Sequence, residues 1–319
     1  MAPERQIQHR VTPSHEVLKK TEKFLAGSKA KNTLRAYAAD WRHFSDWCQG
    51  QKVSEFPATP AVVAMYIADL AGTFATSTIR RRLTAIRKAH RLAEKPDPVS
   101  SPMVKEVLDG ILREYGAFQR GKNPLRSTDL MAMLDCLSDD VASQRNRAIL
   151  LIGFAGAFRR AELTSLDCED LDFRNEGVVV TIRRSKTDQY GKGELKGIPR
   201  GRSTATCPVA ALENWLKASG ITTGAVFRPV TKSGSIRDRR LTDRSIALII
   251  KKFALKAGLD ATKYAGHSLR SGLATEAAYQ GASERSIMKQ GGWKSASMAR
   301  RYIREGSLFH DNAGNKLGL

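Results

Sequence analysis

Three short runs in the second half of the chain combine residue types that packing alone does not call for. In the first, Phe158-Arg159-Arg160-Ala161-Glu162-Leu163, an Arg and a Glu stand three residues apart at the end of an apolar stretch, a spacing that places both on one helix face. Taken alone that is weak, because surface ion pairs at this spacing are commonplace. The second, His267-Ser268-Leu269-Arg270, sets an imidazole and a guanidinium on one face where Ser268 can begin a helix. The third is Gly291-Gly292-Trp293, followed nine residues later by Tyr302 inside the basic run Arg300-Arg301-Tyr302-Ile303-Arg304.

Two arginines, a histidine and a tyrosine suit one kind of chemistry, attack by a tyrosine hydroxyl on a phosphodiester. The pentacoordinate transition state gathers charge on its nonbridging oxygens, and guanidinium groups match that geometry bidentately. A tyrosine of pKa ~10 is a poor nucleophile at neutral pH unless cations stabilise its phenolate or a base takes its proton. The leaving 5′ oxygen needs a proton in turn, which a lysine supplies when nearby cations lower its pKa.

The rest of the chain must position those groups and hold the polyanion. It has 319 residues, with 53 Lys and Arg against 32 Asp and Glu, a net charge of +21. Nucleic acid is the commonest partner of such a charge. The excess is shared: 22 basic against 12 acidic residues up to position 128, and 31 against 20 beyond it. A neutral enzyme with one basic tail is thereby excluded, and two basic modules are expected. At 41% apolar residues the chain can bury sizeable cores, and its length favours two domains at roughly 100–200 residues each. No apolar run approaches the ~18 residues of a membrane span, and polar Met1 to Pro13 lacks the core of a secretory signal, so a soluble, intracellular protein without membrane contact is expected. Cys48, Cys136, Cys168 and Cys207 are too scattered for zinc or a disulfide framework, and the six His are dispersed, so no metal site is visible.

Periodicity supplies the elements. Leu34, Tyr37, Trp41, Phe44 and Trp47 recur at helical steps from Thr33 to Cys48, and Ala61 to Leu70 reads as a second helix after Pro57 and Pro60. From Thr78 to Ala93, Ile79, Leu83, Ile86 and His90 share one face, leaving Arg80, Arg81, Arg87, Lys88 and Arg91 largely outside it. A solvated face normally mixes signs, yet no acid appears on this helix before Glu94, which points to DNA contact. Met103 to Tyr115 resumes as helix; Gly116 to Thr128, with two Gly and a Pro, reads as the interdomain linker before a helix starting near Asp129, with Ser127 or Thr128 as its cap. Beyond it the pattern predicts an apolar helix from Arg145 to Phe158, a strand from Gly177 to Ile182, a hairpin loop from Arg183 to Gly193, a return strand over Leu195 to Pro199, and mostly helices from Pro208 to Arg304.

With these residues in view, the sequence resembles the tyrosine recombinases, the family of phage integrases, Xer proteins and Cre; the run from His267 to Arg304 is nearest in pattern to Cre, including a tryptophan after the double glycine where many relatives have histidine. The likeness covers nearly the whole chain. It implies a mainly α, two-domain DNA clamp: an arm over residues 1–13, a helical, SAM-like core-binding domain over 14–118, a linker over 119–128, and a mixed α/β catalytic domain with a small antiparallel sheet over 129–319. Position by position, Arg159 resembles the first catalytic arginine, with adjacent Arg160 as rival, and Glu162 the acid that positions it. Lys186 resembles the general-acid lysine of the family's hairpin, with Lys192 and Lys196 as rivals. His267 and Arg270 match the histidine and second arginine, Trp293 the donor to the scissile phosphate, and Tyr302 the nucleophile. Arg244, near the start of a helix at about Thr242, resembles a guanine-reading position, although a phosphate contact fits it nearly as well.

The activity so implied is site-specific recombination of double-stranded DNA through a 3′-phosphotyrosine, four protomers on two sites exchanging strands by way of a Holliday junction, with no metal, ATP or other cofactor. A cytoplasmic location, on the nucleoid in a prokaryote or phage host, goes with it. Leu308, Phe309 and Leu317 offer apolar contacts for a C-terminal tail docking on a neighbour. Two other classes share the residues: a type IB topoisomerase, which relaxes DNA without site preference, and a DNA-binding regulator with a dead site.

Overall fold

The computed structural model describes residues 31–116, 121–185, 188, 191, 193–308, 314 and 317. The chain divides into two compact units, with the division between Arg120 and Gly121. Lys186, Lys192, Phe309 and the arm over 1–13 lie outside the described residues.

The first unit is helical. Helices α1 (Lys31–Gly50), α2 (Pro60–Leu70), α3 (Thr76–Leu92) and α4 (Pro102–Tyr115) enclose a core in which Phe44, Tyr66, Ile67, Ile79 and Ile86 are fully buried. Each such side chain contributes roughly 1.5–3 kcal/mol relative to exposure. The Tyr66 ring sits 4.9 Å from Phe44 and 5.2 Å from Trp47 in edge-to-face contact. Pro60 opens α2 where its missing N–H costs nothing, and Thr59 caps it by accepting from the Val62 amide at 3.3 Å. The apolar face read for α3 is buried as expected, His90 included; its ring is satisfied by the Ala58 N–H at 2.9 Å and the Ile86 carbonyl at 2.9 Å.

In the second unit, α5 (Ser127–Asp135), α6 (Val141–Ala155) and α7 (Arg160–Ser165) lead into a three-stranded antiparallel sheet, β1 (Leu171–Arg174), β2 (Gly177–Ile182) and β3 (Glu194–Pro199), in that spatial order. Helices α8 (Pro208–Ser219), α9 (Asp243–Lys256), α10 (His267–Tyr279), α11 (Glu284–Gly291) and α12 (Ala296–Ser307) follow. Val178, Val180 and Ile182 turn one face of the sheet into a core shared with α6, α8 and α9, where Trp215 is fully buried and its indole N–H reaches the Val226 carbonyl at 2.8 Å. No helix among the described residues is long and apolar enough to cross a membrane.

Three sequence expectations shift. Helix α5 begins at Ser127, two residues early, because Asp129 caps it from inside, its carboxylate accepting the Arg126 amide at 3.3 Å. Helix α6 begins at Val141, where Asp140 accepts the Ser143 amide at 2.9 Å, and it stops at Ala155 rather than Phe158 because Ala157 is left-handed, with φ of 48°. Strand β1 has no counterpart in the sequence pattern: with one residue half-buried and three exposed, it lacks an apolar alternation and exists through its ladder with β2.

Candidate active site

The turn that ends α6 delivers Arg159. Phe158 anchors it in the core at 1% exposure, and Arg159 precedes α7 as the cap residue, outside the helix. Glu162 therefore does not share a helix face with Arg159, as the three-residue spacing suggested. Its carboxylate, 4% exposed, reaches back to accept the Arg159 amide at 2.9 Å and also accepts from the Arg159 guanidinium. One acid thus fixes both the backbone and the head group of this arginine.

Helix α10 supplies the histidine and the second arginine from its first turn. Arg270 is 1% exposed, donates through Nη1 to the Ala157 carbonyl at 2.8 Å, and lies 4.3 Å above the Trp293 ring. Burial, and then the neighbouring Arg159, push its pKa down to about 10, which leaves it charged at neutral pH. Its Nη2 is buried without a hydrogen-bond partner among the described residues. Such a donor is costly to leave unpaired, and a bound anion is what would satisfy it.

Trp293 follows the left-handed Gly292, φ 61°, that terminates α11. Tyr302 sits half-buried on α12, packed against a small cluster of Ala274, Ala278, Ile287, Trp293 and Ala299. Gly306 lets α12 cross α10 closely: a Cβ there would come within 2.2 Å of the Thr275 carbonyl oxygen. The crossing brings Tyr302 Oη to 2.7 Å from His267 Nε2. Although the His267 side chain reaches solvent, the protein atoms crowded around it, followed by Arg270, Arg159, Arg301 and Arg160, lower its pKa below the usual value.

A cleft of about 560 Å³ opens over these groups, lined by Arg159, Arg160, His267, Arg270, Trp293 and Lys294 among others. The fold therefore brings Arg159, Glu162, His267, Arg270, Trp293 and Tyr302 together. Arg160, the rival of Arg159, is exposed at the cleft wall and pairs with Asp243 at 3.8 Å. Arg244 is exposed on the first turn of α9, which Thr242 caps by accepting the Ser245 amide at 3.2 Å. Of the two rivals of Lys186, Lys196 is buried in β3, 3% exposed, with its ammonium on main-chain carbonyls. The strand alternates against polarity, Leu195 outward at 71% exposure and Lys196 inward beside Ile198. That period of two was readable in the sequence; what Lys196 meets inside was not.

The cationic face of α3 is more compensated than its own sequence suggests. Arg81 donates to both oxygens of buried Asp40 at 2.7 and 2.8 Å, Arg87 to Asp97 at 3.0 Å, and Arg91 to Asp97 at 3.4 Å. Lys88 lies 5.4 Å from the Tyr37 ring centre, and Arg80 is exposed. The acids missing from the helix come from α1 and from the loop after α3.

The phage integrase family matches residues 123–307, and the phage integrase N-terminal SAM-like domain matches residues 22–95. An integrase/recombinase xerD homolog of Selenomonas ruminantium is 42% identical over 97% of this chain and 92% of its own, and the recombinase Cre of Escherichia phage P1 is 27% identical over 86% and 84%. Among solved structures, a Tn1549 transposon integrase in complex with circular intermediate DNA aligns with a TM-score of 0.62 at 16% identity, over 90% of this chain and 93% of that one. A lambda integrase dimer bound to a COC′ core site aligns at 0.59 and 15%, over 91% and 95%; both likenesses are of fold. On the strength of the domain matches and of the relative that is similar along nearly its whole length, this chain belongs to the phage integrase family, the tyrosine recombinases.

Proposed function

We propose that the chain cleaves and rejoins double-stranded DNA at specific recombination sites, with Tyr302 as nucleophile. The observation that carries this reading is the 2.7 Å contact between Tyr302 Oη and His267 Nε2 at a cleft holding two arginines. In cleavage, Oη bonds to phosphorus as the P–O5′ bond breaks, leaving a 3′-phosphotyrosine and a 5′-hydroxyl. Arg159, held by Glu162, and Arg270, with its unsatisfied Nη2, neutralise charge that builds on the nonbridging oxygens. His267 accepts the phenol proton, the Trp293 indole donates to a phosphate oxygen, and Lys186 protonates O5′.

A partner strand's 5′-hydroxyl then attacks the phosphotyrosine and reverses the step, conserving bond energy without ATP. Four protomers on two sites, passing through a Holliday junction, complete the exchange, with Arg80, Arg81, Arg87, Lys88, Arg91 and Arg244 contributing DNA contacts. A nicked suicide DNA substrate tests the reading. Wild-type protein should trap a covalent adduct that Tyr302→Phe does not form, and an adduct persisting in that variant would remove Tyr302 as nucleophile. Relaxation of a supercoiled circle with no joining of two sites would instead make the activity that of a type IB topoisomerase.

A further inference from the structure

The last three residues of the turn before Phe158 present successive carbonyls to three different elements. Gln290 Nε2, at the end of α11, donates to Ala155 O at 2.8 Å; Lys196 Nζ, from β3, donates to Gly156 O at 2.7 Å; Arg270 Nη1, from α10, donates to Ala157 O at 2.8 Å. These carbonyls end α6 and would otherwise lack partners. The ties interlock, because Lys196 Nζ also donates to the Gln290 carbonyl at 2.6 Å and Gln290 Nε2 to the Gly197 carbonyl at 3.1 Å. Arg159 begins two residues after this shelf, and Trp293 three residues after Gln290.

We propose that Lys196 is a positioning residue of the cleavage reaction: its ammonium joins the main chain that carries Arg159 to the main chain that carries Trp293, and so sets the spacing of the groups that grip the scissile phosphate. This rests on the recombinase reading and deepens it. Lys196 is a rival for the role of general acid by sequence, but it is 3% exposed and turned to two backbone oxygens. The Phe158 ring, 5.1 Å from Nζ, closes a further side. Burial lowers its pKa to about 8, and either protonation state keeps the two N–H groups that the two carbonyls need. An ammonium is used here as a geometric strut.

The experiment compares full-length wild type, Lys196→Met, Lys196→Arg and Lys186→Ala on a nicked suicide duplex. Single-turnover adduct formation at saturating protein is measured beside the Kd for the same DNA. Lys196→Met should form adduct more slowly by on the order of 100-fold, the usual consequence of a misplacement of about 1 Å, with Kd within about twofold of wild type. Lys196→Arg, which retains donors, should recover most of the rate. A second duplex carries sulfur in place of the bridging 5′ oxygen; a thiolate leaves unprotonated, so this duplex rescues loss of a general acid and not loss of position.

Rescue of Lys196→Met by sulfur, or a wild-type rate in Lys196→Met, overturns the proposal. Should Lys196→Met lose its cooperative thermal transition, Gln290→Leu cuts the neighbouring tie and should show the same slowing at unchanged Kd, and a wild-type rate there overturns the proposal equally. If wild-type protein itself forms no adduct, it is the recombinase reading that has failed.

Discussion

His267 Nε2 and Tyr302 Oη meet at 2.7 Å across the crossing of α10 and α12, so an imidazole nitrogen and a phenol oxygen share one hydrogen bond beside the cleft. The imidazole is surrounded by cations: Arg270, Arg159, Arg301 and Arg160 all depress its pKa, after burial has done so first. They favour the neutral form of the imidazole.

A pH dependence follows. Because the pKa of folded His267 lies below 6.5, the ring stays neutral to lower pH than an ordinary histidine, and single-turnover cleavage should rise through a midpoint below 6.5 and be level by neutrality. His267→Gln should be slower and lack that midpoint. Stability has the same sign: in the window between the lowered and the ordinary pKa the unfolded chain binds the extra proton, so folding strengthens as pH rises through it. A retained midpoint in the variant would assign the titration to another group.

Glu162→Gln should leave DNA binding nearly intact and cut cleavage by ~10- to 100-fold, because Arg159 loses the charged partner that fixes its guanidinium. The amide still offers an oxygen to the Arg159 N–H, so the stability cost should be about 1–3 kcal/mol in urea denaturation. Arg159→Met should destabilise more, since it strands a carboxylate of 4% exposure without its cation.

On α3, neutralising Arg81 and Lys88 together should weaken DNA binding and reduce the slope of log K against log salt by roughly 0.9 for each phosphate that the protein no longer neutralises. Asp40→Asn provides the complementary test. Arg81 gives both of its hydrogen bonds on this side to Asp40, so releasing it should strengthen nonspecific binding at low salt. It should also cost stability, as Arg82 lies 3.8 Å from Asp40 and its Nε and Nη1 have no hydrogen-bond partner among the described residues. A salt slope unchanged by the double substitution would show that α3 faces solvent.

Gly306→Ala should destabilise by about 1–3 kcal/mol, because the added Cβ meets a backbone oxygen at 2.2 Å and the helices must part. The parting carries Tyr302 away from His267, so adduct formation should fall further than the melting temperature suggests. Gly281→Ala is the control: its φ of 79° costs strain, but nothing lies within 4 Å, so cleavage should follow stability alone.

The residue types of the site, the apolar stripes and the mainly helical character are legible in the sequence without any coordinates. His267, Arg270, Trp293 and Tyr302 lie within one run, where local spacing and family resemblance carry them, and the buried face of α3 is written in its period. Whatever depends on the local backbone conformation or on partners distant in sequence had to wait for the folded chain. Arg159 and Glu162 read as a helical ion pair and are a helix cap, because only the left-handed Ala157 shows where α6 stops. The basic face of α3 reads as uncompensated, because Asp40 and Asp97 belong to other elements. Lys196 reads as one hairpin lysine among three, because the carbonyls it joins lie 40 and 94 residues away along the chain. Periodicity records which side of an element is buried; it carries no record of which polar atom waits there, and for a buried charge that atom sets the role.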